Sequence, residues 1–120
     1  MKTKTEWAYH WYDRGFSVVP VHYNTENGCS CAAGADCASP GKHPAPSSWM
    51  KYQSKRADKE TLEFWFGGRF ANHNIGVVTG PVSNNVFAVD VDIGDGKDGP
   101  ETLHDLCMSN DDLPSTLEQR

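Results

Sequence analysis

The chain has 120 residues, a hydrophobic fraction of 38% that includes four Trp, five Phe and four Tyr, and a net charge of −5. That length supports one domain with a modest core, and the aromatic content excludes a disordered chain. No apolar run approaches the ~20 residues of a membrane span, and the N-terminus lacks the apolar stretch of a signal peptide, so a cytoplasmic protein with no membrane partner is expected. The acidic balance argues against nonspecific duplex binding over the whole surface.

Helical periodicity opens the chain. Trp7, Ala8, Trp11 and Tyr12 recur at three- and four-residue spacing, and Gly15 is a natural stop. A β-branched run over 16–21 predicts a strand, with Pro20 marking an edge or an exit. Residues 22–48 are rich in Gly, Cys, Ser, Ala and Pro and have no apolar periodicity. A loop of that length in a compact domain needs a function or a staple.

Asp58 is a plausible N-cap for a second helix, with Leu62, Trp65 and Phe66 on its inner face and Gly67-Gly68 as its stop. Strands are expected over 75–78 and 86–91, joined as a hairpin by a turn containing Pro81 and Asn84-Asn85. A third helix is expected over 100–108, with Pro100 in its first turn and Leu103, Leu106 and Cys107 inward. Residues 115–120 look like the start of another strand. The fold class is therefore α/β (α+β), a single domain expected to continue past residue 120 with the loop 22–48 inserted.

Two clusters carry chemistry. Cys29, Cys31, Cys37 and His43 read Cys-x-Cys-x5-Cys-x5-His. Three thiolates and an imidazole make a closed, structural Zn²⁺ site, and Gly28, Gly34, Pro40, Gly41 and Pro44 let the backbone turn around a metal. The alternatives are a Cys29–Cys37 or Cys31–Cys37 disulfide, or free thiols, and His22 is a reserve fourth ligand. Cys107 reads as an ordinary small core residue.

Asp90 and Asp92 are two residues apart on the expected strand, so both side chains would share one face with Cβ atoms roughly 6–7 Å apart, while Phe87, Val89 and Val91 enter a core on the other. Paired carboxylates on a rigid element suit Mg²⁺ or Mn²⁺ bridging to substrate phosphates. The plainer reading is a solvated strand end followed by the Gly94 and Gly96 turn signals.

The remaining polar and aromatic residues read more simply. Asn74, Thr79 and Gly80 could approach a nucleotide at the hairpin, against ordinary Thr-Gly-Pro turn chemistry. Lys51, Lys55, Arg56 and Lys59 form a basic cluster beside Tyr52 that reads as a solvated helix face, with steering of template phosphates as the alternative. Trp7, Trp11 and Trp65 read as core; Asp95, Asp98, Asp111 and Asp112 as turn and cap residues; His73 has no assigned role.

The order of these pieces carries a resemblance. An N-terminal amphipathic helix precedes Gly-Phe-Ser-Val-Val-Pro-Val, then Gly-Cys-Ser-Cys…Cys-Ala-Ser-Pro-Gly-Lys-His-Pro, Trp49, a helix centred on Trp65, Asn-Ile-Gly-Val-Val-Thr-Gly and Val-Asp-Val-Asp. Over nearly its whole length, from Trp7 to Arg120, the chain resembles the N-terminal domain of bifunctional DNA primase–polymerases, of the archaeo-eukaryotic primase superfamily, carried by phages, plasmids and prophages and often fused to a helicase. The resemblance implies an RRM-like core. It implies catalytic Asp90 and Asp92 holding divalent metal against a nucleoside triphosphate, with a single-stranded DNA template, and a structural zinc loop near the site. The family's second motif, Ser-x-His, occurs nowhere in these residues. The expectation is a DNA primase/polymerase fragment, a nucleotidyltransferase inactive by itself. The alternatives are a zinc-stapled module that binds nucleotide or DNA, or regulates, without catalysis, and a nuclease-like metal site.

Overall fold

A computed structural model describes residues 1–94, 96–110, 113, 115 and 116. It divides into two units, Met1–Phe87 and Ala88–Arg120. Helix α1 (Lys4–Asp13) opens the first. Thr3 Oγ1 accepts from the Glu6 N–H at 3.2 Å, and the Thr3 N–H donates back to Glu6 Oε2 at 3.1 Å, a reciprocal cap legible as Thr-x-x-Glu but absent from the expectations above. Gly15 follows with φ +93°, the left-handed stop that glycine allows, and a Cβ there would collide with the Asn84 amide. Ala8 is fully buried, whereas Trp7, expected in the core, stays 42% exposed.

Strand β1 (Ser17–Val21) pairs antiparallel with a later strand, Asn74–Val78, in the register Ser17↔Val78 to Val21↔Asn74. The expected loop is not structureless. It contains a small hairpin, β2 (Asn24–Thr25) with β3 (Gly28–Cys29), and a 3₁₀ turn at Gly34–Asp36. It then returns along β1: Pro44 bridges Val21, and the Ala45 N–H donates to the Pro20 carbonyl at 2.9 Å. Pro20 thus lies where its missing N–H is tolerated, on a strand flanked on one side only by a short bridge.

Helix α2 (Lys59–Phe64) starts at Asp58 as expected, with the Thr61 N–H donating to Asp58 Oδ1 at 2.8 Å. Gly67-Gly68 does not end it. A π-turn, Trp65–Arg69, continues to a kink at Gly68. Leu62, Trp65, Phe66 and Phe70 join Ala8, Val18, Val19 and Ala57 in the core. The basic cluster faces solvent as expected at Lys51, Lys55 and Lys59, the last paired with Asp13 at 2.9 Å, while Arg56 is half-buried, lies 4.1 Å over the Tyr12 ring and donates to the Tyr12 carbonyl.

After β4 (Asn74–Val78) the expected turn forms around Pro81–Ser83, with Asn84 and Asn85 at positive φ. Ser83 is buried, and its Oγ accepts the Ser17 N–H at 2.8 Å. The strand expected after that turn does not form. Val86 makes one isolated bridge to Gly80, and residues 87–92 belong to no strand. Among the described residues β4 has β1 as its sheet neighbour, and a segment without a partner leaves its ladder groups unpaired whatever its β-propensity. Phe87 and Val89, expected in the core, are accordingly exposed.

In the second unit β5 (Ile93–Gly94) pairs with β6 (Lys97–Asp98), and helix α3 (Gly99–Ser109) follows with Pro100 in its first turn. No residue of α3 is buried: Leu103 and Cys107 are half-buried and Leu106, expected inward, is exposed. Ser115 and Thr116 form no strand, and residues 117–120, like Asp95, Asp111 and Asp112, lie outside the described residues.

Candidate metal centre and the paired aspartates

The cysteine loop is shaped by its own backbone. The β2–β3 turn is closed by Thr25 Oγ1, which donates to the Gly28 carbonyl at 2.9 Å and accepts the Asn27 N–H at 3.1 Å. Gly28 sits at φ +106°, where a Cβ would come within 2.6 Å of the Ala35 nitrogen, so only glycine lets the hairpin close on the following 3₁₀ turn. Ser30 ties the Cys29-Ser30-Cys31 stretch to the end of β1: its Oγ accepts the Tyr23 N–H at 3.0 Å and lies 2.9 Å from His22 Nδ1. The His22 N–H donates to the His43 carbonyl at 3.0 Å, which anchors the loop's far end.

These constraints gather the four expected ligands. The donor atoms of Cys29, Cys31, Cys37 and His43 all lie within 4.8 Å of one another, and they are the one such group of three or more among the described residues. His43 Nε2 is 3.6 Å from Cys29 Sγ and 3.4 Å from Cys37 Sγ. A tetrahedral zinc ion with Zn–S near 2.3 Å and Zn–N of 2.0–2.1 Å places sulfur and nitrogen roughly 3.6 Å apart, so the donor set can hold zinc with little movement. The cysteines are free thiols, and His22, the reserve ligand, is engaged by Ser30.

The electrostatics favour a cation. Burial alone would push the Cys29 thiol up, but N–H groups of Gly41 and Cys31 and bonds from His43 and Cys31 outweigh it and bring it down to about 6. At Cys37 the Ser39 N–H favours the thiolate, yet burial and the Cys31 and Cys29 sulfurs together raise the thiol. Adjacent sulfurs cannot all ionise without a positive ion between them, and a soft dication removes that conflict. A second layer of rings surrounds the group. His22 lies 4.6 Å from His43 and 5.2 Å from His73, and burial lowers the pKa of both His22 and His73. His73 Nδ1 is buried without a hydrogen-bond partner among the described residues.

Asp90 and Asp92 are placed differently. They lie in the second unit, both exposed, along a cavity of about 500 Å³ that Lys97, Asp98, Thr102 and Leu106 also line. Asp92 Oδ2 is 3.7 Å from Lys97 Nζ, and Asp98 Oδ1 accepts from Thr102 at 3.2 Å. Among the described residues, the carboxylates of this segment do not converge into a ligand group. Asn74 opens β4 opposite Val21, Thr79 follows that strand in solvent, and Gly80 begins the next turn at φ +98°.

An α+β chain with small antiparallel sheets and a Cys₃His centre able to hold zinc is the class these features define. A family model, the N-terminal domain of bifunctional DNA primase/polymerase, matches residues 8–120, and the chain belongs to that family. No curated protein and no solved structure gave a match. Among the described residues no helix is long and apolar enough to cross a membrane.

Proposed function

We propose that this chain supplies part of a primase–polymerase catalytic domain that builds a nucleic-acid strand on a single-stranded DNA template. The observation that carries the reading is the family match across residues 8–120. In the proposed reaction a 3′-hydroxyl attacks the α-phosphate of a nucleoside triphosphate. The new P–O bond replaces the α–β anhydride bond, pyrophosphate leaves, and the hydroxyl proton passes to solvent or a base. Such chemistry is mostly positioning and charge neutralisation.

Asp90 and Asp92 are assigned to Mg²⁺ or Mn²⁺, which when bound would neutralise triphosphate charge. An RRM-like core is part of this reading; the antiparallel pairing of β1 with β4 supports it. Asn74, Thr79 and Gly80 are assigned to the nucleotide's approach, the Cys₃His centre to structural zinc, and an associated helicase to the same replication task. Residues 1–120 alone are expected to be inactive, since the Ser-x-His motif is not among them.

The test is labelled-nucleotide incorporation on single-stranded template by the complete gene product with Mg²⁺ or Mn²⁺. Synthesis abolished by Asp90→Asn and by Asp92→Asn is the expected result. Synthesis indifferent to both overturns the assignment. Absence of synthesis, with DNA binding retained, would favour the non-catalytic zinc-stapled module.

A further inference from the structure

A second groove lies wholly within the first unit, where the returning Cys/His loop and the segment after it approach the β1–β4 ribbon. Its volume is about 310 Å³, at the small end of ligand pockets. Val21, Gly76, Lys42, Trp49, Gln53 and Thr79 are among the residues that line it. At Gly76 a Cβ would collide with the Val21 side chain. Trp49 is half-buried and Lys42 is exposed.

The composition of this lining is selective. The chain carries a net charge of −5, yet among the described residues no carboxylate lines the groove and one ammonium does. An indole and apolar side chains, with an amide, a hydroxyl and a cation in the same lining, complement a flat ring with polar edges joined to an anion. The cation's position is tied to the metal centre. Lys42 and Pro44 flank His43 in sequence, the Gly41 N–H donates to Cys29 Sγ at 3.4 Å, and Pro44 bridges Val21.

We propose that this groove binds one nucleobase with its phosphate, the Trp49 indole stacking on the base and the Lys42 ammonium meeting the phosphate, and that metal at the Cys₃His centre holds the loop bearing Lys42 in place. The ligand class rests on the primase–polymerase reading; the site itself rests on the lining. The phosphate could belong to a free nucleotide or to a strand, and two probes separate these: thymidine 5′-monophosphate and a labelled oligothymidylate.

Binding is measured on the zinc-loaded chain by fluorescence anisotropy and by amide NMR. Shifts at 76–79 are expected on titration. Trp49→Ala should weaken binding about tenfold or more, and Trp49→Phe should recover most of it. Lys42→Gln should weaken binding several-fold and flatten its salt dependence by about one phosphate contact, while Lys2→Gln, outside the groove, should not. Chelation of zinc should weaken binding and re-addition restore it. Effects with the monophosphate assign a nucleotide pocket; effects with the oligonucleotide alone assign a strand channel. Lys42→Gln lies on the exposed rim and carries the test if Trp49→Ala fails to fold. Parent-level affinity in the folded variants, or no binding of either probe with 76–79 unshifted, overturns the groove. That outcome leaves the synthesis test of Asp90 and Asp92 standing on its own.

Discussion

The segments 29–43 and 86–92 carry motifs of similar clarity, and the fold treats them in opposite ways. The first is held by backbone hydrogen bonds inside the loop, by Ser30 and by its return along β1, so four distant donors meet. The second has a well-formed turn before it and a small hairpin after it, yet among the described residues no strand beside it, and its two carboxylates remain in solvent. The burial around them follows the same division. Val18 and Leu62 are fully buried in the first unit, whereas Ile93 and Met108 in the second are 79% and 75% exposed. A motif becomes a site where neighbouring segments satisfy the backbone that bears it.

The largest effect expected from this contrast concerns the metal. Elemental analysis should find about one zinc per chain. Cys31→Ser or chelation should remove a stabilisation of about 4 kcal/mol where free zinc stands about a thousandfold above its Kd, seen as a large drop in thermal midpoint. A Cys31→Ser variant that keeps full zinc and an unchanged midpoint would sink the assignment.

Core truncation separates the two units next. Leu62→Ala should cost about 2–5 kcal/mol in urea unfolding, and Leu106→Ala should stay within ~0.5 kcal/mol. Equal losses would mean that α3 is packed far better than its exposure implies.

The Asp58 cap should give a smaller effect. The Thr61 N–H holds its carboxyl below the ordinary carboxylate value, so its contribution is present above that value and is lost as pH falls through the lowered one. Asp58→Ala should lower the midpoint by a few degrees at neutral pH, with the gap closing in acid. A gap that is independent of pH would mean the cap does not act through the ionised carboxylate.

The smallest signal is the Cys29 thiol. Its folded value of about 6 lies below the ordinary 9.0, so its contribution to the metal-free chain is complete above 9.0 and is lost as pH falls through about 6. Ultraviolet thiolate absorbance of the metal-free chain should show a step near 6 that Cys29→Ser removes. The same step persisting in that variant would assign it to another sulfur.

Much of the chain was legible beforehand where the cause is local. The period of α1, the Asp58 cap, the Asn84-Asn85 turn and the ligand spacing of the loop all act within a few residues. The Thr3–Glu6 cap is equally local, its two partners three residues apart. The π-turn past Gly67 was not legible, because burial of Trp65 and Phe66 against the core carries the helix beyond its glycine stop.

Sequence alone determined which residues can ligate zinc and which can bear carboxylate chemistry, because donor type and spacing belong to the chain itself. Tertiary structure decided which of them meet. β4 took β1 as its partner, the cysteine loop closed on that strand, and 87–92 was left without a ladder. Strand pairing is a choice among distant segments, set by which apolar faces can be buried together, and no window of sequence contains both sides of that choice.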